Sequence, residues 1–546
     1  MTEFNIALTH EAVSEALADR EILVWRDRRL TYADLTERSR RLATYLHRAG
    51  LGLRRERGEL ANHESGQDHV ALYLYNGTEY LEGMLGALKA RCASVNVNYR
   101  YVADELGYLF GNAGAKAVIY HARFAPLVAE VRRGLPGLTV LLQVADDSGE
   151  ALLPGAADYE EALASVPAEL PVDGHSPDDL YILYTGGTTG MPKGVLWRQH
   201  DIFMSTMGGR TPGVWDPATS MDDVVARARA GTDGDTMVMV PPFMHGAAQW
   251  ASFIMMHSGV KIVVPGENRR MDPADVLRTI ERERASLITV TGDAVVRPLL
   301  DEMRTGKYDL SSLAIIGNGS AVLTPEIKEQ VLEVLPHAII NDTVGASETG
   351  AQGTHLSMKG AVATGKFGAG PGAVVVNEDM SALHEPGHEG LGWLGQSGWV
   401  PLGYLGDPEK SARTFPTIGG TRYALPGDRA RLLADGQIDL LGRDSVTINT
   451  GGEKVFAEEV ETAIASHPAV RDVTVCGRPS ERWGSEVVAV VQLSAGQTAT
   501  EAALEAHAAE RIARYKLPKA WIFVEQIQRS PSGKADYRWA RRQAEA

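Results

Sequence analysis

Apolar runs short enough to be strands alternate with amphipathic segments along much of the chain. The run at 70–76, VALYLYN, is followed by a helix-like segment at 79–92 and by another apolar run at 93–98, and the same order recurs between residues 261 and 292. Strands that alternate with amphipathic helices are typical of parallel sheets wound by helices. The pattern therefore predicts an α/β protein over the first part of the chain.

The pattern changes after Gly350, where glycines become frequent, apolar runs shorten and long helices disappear. This change predicts a small antiparallel or β-barrel-like portion. An amphipathic helix, two strands and a second helix between residues 458 and 515 then indicate a separate α+β unit. We predict a large N-terminal domain, 1–442, of wound α/β subdomains with the β-barrel-like portion, and a small C-terminal domain, 443–546.

Composition narrows the class of protein. The 546 residues carry a formal net charge of −16, which argues against a nucleic-acid partner held by a basic face. Cys92 and Cys476 are the only cysteines, which excludes a disulfide framework and a cysteine zinc site and fits a cytoplasmic location. The N-terminus lacks the basic start and apolar core of a signal peptide, and we expect no transmembrane segment because no apolar run approaches about 20 residues.

The most informative segment is YTGGTTGMPKGV at 184–195. Glycines let backbone N–H groups approach an anion closely, and threonine hydroxyls and a lysine add further donors, which is the chemistry of a polyphosphate-binding loop. Residues 181–184 indicate a short buried strand before the loop, and 195–203 indicate the start of a helix after it. The donors of this loop are Thr185, Gly186, Gly187, Thr188, Thr189, Gly190 and Lys193.

This loop is not a Walker A loop, because its lysine follows a proline and precedes a glycine. A glycine- and threonine-rich surface turn is the alternative interpretation. The segment resembles the phosphate loop of the adenylate-forming enzymes, which include acyl-CoA synthetases, firefly-type luciferases and nonribosomal adenylation domains. Further blocks that resemble this family follow in the family's order as far as residue 536, and together they identify the chain as a member.

The block NDTVGASETG at 341–350 combines a carboxylate with a hydroxyl. A carboxylate suits Mg²⁺, which is a hard cation, and a hydroxyl suits a phosphate, although a polar turn is an alternative interpretation. The block resembles the family's Thr-Glu block, with a serine in place of the threonine and an aliphatic residue in place of the aromatic one that stacks on adenine. The resemblance implies nucleotide contacts from Asp342, Thr343 and Ser347 and a magnesium ligand in Glu348.

Two blocks resemble the parts of the family that hold adenine and the acyl group. AIIGNGSAVL at 314–323 loosely resembles the adenine-binding turn, which implies contacts from Gly319, Ser320 and Ala321. His245 and Gly246 stand where the family lines or gates its acyl pocket, although a purely structural histidine is an equally good interpretation. The absence of a nearby aspartate that would pair with an amino group favours a plain carboxylic acid as substrate.

Three further blocks belong to the last quarter of the chain. Asp428 in LPGDRAR and Arg443 in LLGRD match the family's two ribose contacts, and the resemblance places a hinge at Asp444 or Ser445. Gly451, Gly452 and Lys454 in TGGEKVFAEE match the loop that lines the pantetheine channel, with a hairpin turn as the alternative. Lys534 in RSPSGKAD matches the adenylation lysine, where the residues alone would indicate a frayed basic tail.

The resemblance implies a two-step reaction that uses ATP, Mg²⁺ and CoA. A carboxylate attacks the α-phosphorus of ATP to give an acyl-adenylate and pyrophosphate, and the CoA thiol then displaces AMP. Between the steps the C-terminal domain rotates, which makes it mobile. Catalytic roles are implied for Lys534, Glu348, Thr188 and Lys193.

The sequence of the whole chain resembles those of bacterial enzymes that act on long-chain fatty acids or steroid side-chain acids. A homodimer is a possible assembly. Three alternatives stay open at this point: a ligase that passes the acyl group to a carrier protein, a luciferase-like oxidase, and a catalytically silent protein that binds acyl groups or nucleotides.

Overall fold

The computed structural model describes residues 2–185, 191–211, 213–231, 234–450, 453–480, 484–530 and 533–546. In chain order its helices are α1 (Ile6–Ala16), α2 (Tyr32–Arg48), α3 (Thr78–Lys89), α4 (Ala103–Ala113), α5 (Ala125–Arg132), α6 (Tyr159–Ala164), α7 (Gln199–Thr206), α8 (Met221–Ala230), α9 (Gly246–His257), α10 (Pro273–Glu283), α11 (Gly292–Met303), α12 (Pro325–Val334), α13 (Pro408–Thr414), α14 (Ala457–Ala465), α15 (Glu501–Ala509) and α16 (Tyr537–Glu545).

The strands of the N-terminal part are β1 (Glu21–Trp25), β2 (Arg28–Thr31), β3 (His69–Tyr73), β4 (Ala93–Asn96), β5 (Ala115–His121), β6 (Val140–Val144), β7 (Ala157–Asp158), β8 (Leu180–Thr185), β9 (Lys193–Arg198), β10 (Thr236–Met239), β11 (Lys261–Val264), β12 (Leu287–Val290), β13 (Ile315–Gly319) and β14 (Ile339–Ala346). Those that follow are β15 (Gly350–Ser357), β16 (Lys366–Ala369), β17 (Ala373–Val376), β18 (Gly392–Ser397), β19 (Gly403–Tyr404), β20 (Thr417–Ile418), β21 (Thr421–Ala424), β22 (Asp428–Leu432), β23 (Gln437–Arg443), β24 (Ile448–Thr450), β25 (Glu453–Val455), β26 (Val470–Ser480), β27 (Gly484–Leu493) and β28 (Ala520–Phe523).

The first sheet has the order β19-β9-β8-β4-β3-β5-β6-β7. Its members from β8 to β7 are parallel, and every residue of β3 is buried because separate apolar clusters cover the two faces of the sheet. Helix α3 is buried on all sides, including Lys89, whose ammonium donates to Ser39 at 2.8 Å and pairs with Glu11 at 2.7 Å. The predicted wound α/β architecture is confirmed in this sheet.

A second, larger sheet contains parallel and antiparallel parts in one continuous ladder. Strands β1, β11, β10, β12, β13 and β14 are parallel neighbours, and β15, β16, β23, β22 and β18 continue the sheet in antiparallel register. Helices α10, α11 and α12 contribute to the apolar cluster on one face of the parallel part. The antiparallel portion expected after Gly350 is therefore an extension of the second parallel sheet, formed by hydrogen bonding along β14 and β15.

The C-terminal unit has its own core. Strands β26, β27 and β28 form a three-stranded sheet, and α14, α15 and α16 contribute to the apolar clusters around it. The predicted boundary after Gly442 falls inside β23, which ends one residue later at Arg443. Among the described helices, none is both long and apolar enough to cross a membrane.

Candidate functional site

The two ends of the predicted phosphate loop lie side by side. Thr185, the last residue of β8, is paired in antiparallel register with Lys193, the first residue of β9. The intervening predicted residues Gly186, Gly187, Thr188, Thr189 and Gly190 lie outside the described residues. The expectation of a helix start at 195–203 is confirmed only in part, because residues 193–198 pair with β8 as a strand and the helix α7 begins at Gln199.

The side chain of Lys193 contacts polar and aromatic groups that lie in residues 404–410. Its ammonium donates to the Asp407 carboxylate at 3.0 Å and lies 5.8 Å from the centre of the Tyr404 ring. The Lys410 ammonium lies 4.8 Å from the centre of the same ring. Burial and then the neighbouring positive charge of Lys193 lower the pKa of Lys410. Sequence analysis missed Tyr404, Asp407 and Lys410, although the pairing of β19 with β9 brings them to the loop.

Glu348 lies in the turn between β14 and β15 and is mostly buried. The Tyr404 hydroxyl donates to Glu348 Oε1 at 2.7 Å, which fixes one oxygen of the carboxylate. The neighbouring Ser347 carbonyl accepts from the Trp197 indole at 3.0 Å, so the turn is tied to β9. The structure thus brings Glu348 and Lys193 together around Tyr404, and their shared role at a nucleotide stays a prediction.

The predicted adenine turn follows β13. Gly319 is the last residue of that strand, and Ser320 adopts a left-handed conformation with φ of +68° that leaves it exposed. Ala321 donates its N–H back to the Gly319 carbonyl at 2.8 Å, which closes the turn. Thr343 on β14 is the register partner of Gly319, so these candidate nucleotide contacts share one edge of the sheet.

Both carboxylate oxygens of Asp342 accept hydrogen bonds from other side chains of the protein. One carboxylate oxygen accepts from the Asn318 amide at 2.8 Å, and the other accepts from the ammonium of Lys328. Lys328 is fully buried and also donates to the Ala363 carbonyl at 2.6 Å and the Thr364 hydroxyl at 2.7 Å. Asp342 and Lys328 therefore support the predicted adenine turn from the interior of the domain, and no sequence motif indicates this lysine.

Asp428 and Arg443 are cross-strand partners at the open end of the β22–β23 hairpin. They occupy the same rung of the ladder, and Arg443 Nε lies 3.2 Å from Asp428 Oδ1. The Asp428 carboxylate raises the pKa of Arg443, so the guanidinium stays charged. The pair presents an acceptor and a donor that are held in fixed geometry by the backbone.

Lys534 reaches this pair from the C-terminal domain. Its segment packs closely on the N-terminal domain, since Gly533 has φ of +75° and a Cβ there would lie 2.9 Å from the Thr291 carbonyl. The side chain keeps access to solvent, yet surrounding protein atoms and then Arg443 lower the pKa of Lys534 to about 8. Asp428 and Glu348 act in the opposite direction, which places the ammonium among the site's charges.

His245 and Gly246 lie at the start of α9. Burial, Lys534 and Arg100 lower the pKa of His245 to about 3, so the imidazole is neutral, and its Nε2 has no hydrogen-bond partner among the described residues. Gly246 is packed against Leu183 and Trp250, where an added Cβ would collide with the leucine. His245 is therefore within electrostatic reach of Lys534, and the acyl-pocket role of His245 and Gly246 stays a prediction.

The predicted CoA loop is only partly visible. Gly451 and Gly452 lie outside the described residues, and Lys454 belongs to β25, although its side chain is outside the described part of the chain. A cavity of about 460 Å³ lies between the two domains beside the Lys534 segment. Tyr99, Arg100 and Thr291 line it from the N-terminal domain, and Arg471 and Arg529 line it from the C-terminal domain.

Comparisons with known proteins cover both domains. Residues 10–405 match the family model of AMP-binding enzymes, and residues 459–534 match the model of the AMP-binding enzyme C-terminal domain. The chain is 58% identical to the medium-chain acyl-CoA ligase Mig of Mycobacterium avium over 100% of this chain and 98% of that protein. It is 40% identical to the 3-oxocholest-4-en-26-oate–CoA ligase of Rhodococcus rhodochrous over 99% of this chain and 96% of that protein.

Solved structures share the fold over the whole chain. The anthranilate CoA ligase AuaEII in complex with anthranoyl-AMP superimposes with a TM-score of 0.83 at 22% identity, covering 100% of this chain and 98% of that one. ATP-bound MatB from Rhodopseudomonas palustris superimposes with a TM-score of 0.79 at 23% identity and covers 98% of each chain. At these identities the likeness shows the two-domain fold alone.

We expect Lys328→Met to destabilise the N-terminal domain by about 3–5 kcal/mol, because it leaves the Asp342 carboxylate buried without its cation. Chemical unfolding measures this change. Lys366→Met, at an exposed lysine on β16, is the matched control and should stay within about 0.5 kcal/mol of the parent protein. Adding Asp342→Asn to Lys328→Met should restore part of the loss, and a fully stable Lys328→Met protein would contradict the supporting role of Lys328.

Proposed function

The chain belongs to the family of AMP-binding enzymes, and from this membership and its site we propose that it is an AMP-forming acyl-CoA synthetase for medium-chain fatty acids. One observation carries the proposal: Lys534 of the C-terminal domain lies among Glu348, Asp428 and Arg443 of the N-terminal domain. A cation at this place supports activation of a carboxylate on ATP, because it would face both of the reacting anions.

In the first half-reaction a carboxylate oxygen attacks the α-phosphorus of ATP, and pyrophosphate leaves. Both reactants are anions, so positioned positive charge should supply much of the catalysis. Lys534 would neutralise the carboxylate and the α-phosphate, and Lys193 with the threonines of its loop would hold the leaving pyrophosphate. Asp428 and Arg443 would hold the ribose, which fixes the position of the α-phosphorus.

Mg²⁺ fits the donor set at Glu348. The described residues contain no cluster of three or more histidine, cysteine or acidic side chains that could enclose an ion by themselves. Mg²⁺ is commonly held by one or two carboxylates together with phosphate oxygens and water, and it would neutralise phosphate charge when bound. Glu348, with one oxygen fixed by Tyr404, is the residue that would hold it.

In the second half-reaction the CoA thiol attacks the acyl carbon, its proton is lost, and AMP leaves with the carboxylate-derived oxygen. Gly451, Gly452 and Lys454 are proposed to guide the pantetheine chain and a CoA phosphate. Because these residues belong to the same domain as Lys534, that domain must reorient between the two steps. The cytoplasmic location and the homodimer stay predictions.

The acyl group is proposed from the relatives. Sequence analysis favoured a long-chain or steroid side-chain acid, and relatives at 40% and 41% identity carry such names. The relative at 58% identity is named a medium-chain ligase, which supports a medium-chain acid as the first candidate. These relatives are all named CoA ligases, which favours CoA over a carrier protein as the acceptor.

We expect Lys534→Ala to lower acid-dependent pyrophosphate release roughly a hundredfold or more, because the charge that faces the reacting anions is removed. Thioester formation from supplied acyl-adenylate and CoA should change by less than about twofold. Loss of both half-reactions together in a folded variant would contradict the assignment of Lys534 to the first step.

The same lysine gives the first step a pH dependence. Because the pKa of Lys534 is about 8, its positive charge is present below this pH and is lost as the pH rises through it. Pyrophosphate release measured as kcat/KM should fall accordingly, while the thioester step from supplied acyl-adenylate should not. Lys534→Arg is the control, since arginine stays charged across this range and should abolish the fall.

A panel of acids tests the acyl class. We expect kcat/KM for CoA-dependent AMP formation to be at least about tenfold higher for a medium-chain fatty acid than for a long-chain or a steroid side-chain acid. A preference for the steroid acid would support the alternative suggested by the relatives at lower identity. Acid-dependent AMP formation that needs no CoA and gives no thioester would favour a carrier-protein acceptor.

A further inference from the structure

Glu458 lies at the point where the C-terminal domain meets the last strand of the N-terminal domain. It is the second residue of α14, and this helix packs against β23. The contact partner on β23 is Gly442, whose φ of +121° and missing side chain leave room for the carboxylate. A Cβ on Gly442 would lie only 2.8 Å from the carboxyl carbon of Glu458.

The Glu458 carboxylate is poorly compensated in this position. Its Oε2 atom is buried and has no hydrogen-bond partner among the described residues. Burial raises the pKa of Glu458 to about 7, and the Asp428 carboxylate adds to the rise. The N–H groups of Glu458 and Arg443 and the Arg443 guanidinium oppose it, while Glu461 and Tyr537 face it from its own domain.

The contact crosses the predicted hinge. Strand β23 ends at Arg443 and a short 3-10 turn at 444–446 follows, so Gly442 and Glu458 belong to the two bodies that separate when the domain reorients. Glu458 is also joined to the Lys534 segment within its own domain. Helix α14 packs on β26, and Asp472 of β26 pairs with Arg529, whose guanidinium donates to the Gly533 carbonyl at 3.1 Å.

We propose that Glu458 is a positioning residue that sets the balance between the two half-reactions: its carboxylate opposes the contact with Gly442 and Arg443 that docks Lys534 over the nucleotide site. A buried carboxyl with too few donors disfavours the docked orientation, and water satisfies it once α14 leaves β23. Glu458 therefore limits the stability of the docked state, so that the domain can leave this state for the thioester step. This role rests on the proposed two-step reaction.

The sign of the pH effect follows from the two environments. Separated from β23, the carboxyl returns toward its ordinary pKa of 4.5, whereas in the docked orientation the pKa is about 7. Docking therefore takes up a proton between these values, and the docked orientation becomes less favourable as the pH rises through this window. Above the window the effect is constant, because the carboxyl is then ionised in both orientations.

The test uses Glu458→Gln in the full chain and measures pyrophosphate release and thioester formation separately between pH about 5 and about 8. Glutamine cannot ionise, so we expect pyrophosphate release near pH 8 to be at least as fast as in the parent protein and thioester formation to be slower by roughly threefold or more. Between pH about 5 and about 7 the ratio of thioester to adenylate formation should rise in the parent protein and stay flat in Glu458→Gln, whereas the further rise near pH 8 that Lys534 causes should remain in both proteins.

Glu461→Gln is the matched control on the same helix. Glu461 is also a buried carboxyl with a raised pKa, about 8, but it accepts hydrogen bonds within its own domain, from the Val475 N–H at 2.8 Å and the Tyr537 hydroxyl at 3.4 Å. Its substitution should lower the thermal stability of the C-terminal domain and, because Glu461 faces Glu458, move the pH window of the ratio slightly to lower pH, but the rise of the ratio with pH should remain. Equal changes in the ratio for both variants would overturn the specific role of Glu458.

Gly442→Ala tests the contact between Gly442 and Glu458 by changing its partner on β23. It also provides a test if Glu458→Gln fails to fold. The added Cβ meets the carboxyl group, so pyrophosphate release should fall at least about tenfold, and Gly442→Ala with Glu458→Ala should recover part of the loss. Gly436→Ala is the control for left-handed strain, since Gly436 has φ of +80° and nothing within 4 Å of its added Cβ. Independent effects of Gly442→Ala and Glu458→Ala would overturn the proposal.

The failure of this role is distinguishable from failure of the proposed function. If the parent protein forms no acyl-adenylate from any acid of the panel, the proposed function itself is wrong. If both half-reactions proceed and neither Glu458→Gln nor Gly442→Ala alters their ratio, only the role of Glu458 is overturned.

Discussion

The geometry of the site depends on the ion pair between Asp428 and Arg443. The two residues share the last rung of the β22–β23 hairpin, with 3.2 Å between Arg443 Nε and Asp428 Oδ1. Asp428 faces the predicted ribose position, Arg443 is the last strand residue before the C-terminal domain, and Lys534 returns to within electrostatic range of both. A single backbone-fixed pair thus connects the proposed nucleotide site, the predicted hinge and Lys534, the proposed catalytic lysine.

In this arrangement the N-terminal and C-terminal domains both contribute residues to one proposed active site. The N-terminal domain supplies charges of both signs, with Glu348 and Asp428 close enough to Arg443 to raise its pKa and with Asp407 paired to Lys193, so the site avoids a large excess of positive charge before ATP binds. The C-terminal domain adds Lys534, and the surrounding protein atoms together with Arg443 lower the pKa of this lysine to about 8. Glu458 acts at the same junction, where its buried carboxyl limits how firmly the domain docks.

The residues themselves were sufficient to predict a phosphate-binding loop, because the glycines, threonines and lysine of residues 184–195 carry their own donors. Asp428 and Lys534 became candidates only through the resemblance to the family, since a Gly-Asp turn and a basic tail carry no such signal alone. The roles of Lys193, Asp428 and Lys534 stay predictions. A short apolar run such as residues 195–197 does not by itself distinguish a strand from the start of a helix, and these residues pair with β8 as a strand before α7 begins at Gln199. Tyr404, Lys410 and Lys328 were missed for a different reason, because only pairing between distant strands and burial bring them to the site.

The most direct measurement of the central claim follows one oxygen atom through the reaction. A medium-chain fatty acid whose carboxyl group carries a heavy oxygen isotope is incubated with the enzyme, ATP, Mg²⁺ and CoA, and the nucleotide product is analysed by mass spectrometry. Attack of the carboxylate on the α-phosphorus, followed by displacement by the thiol, predicts one labelled oxygen in AMP. Label in inorganic phosphate with ADP as the product, or unlabelled AMP, would contradict an acyl-adenylate mechanism at this site.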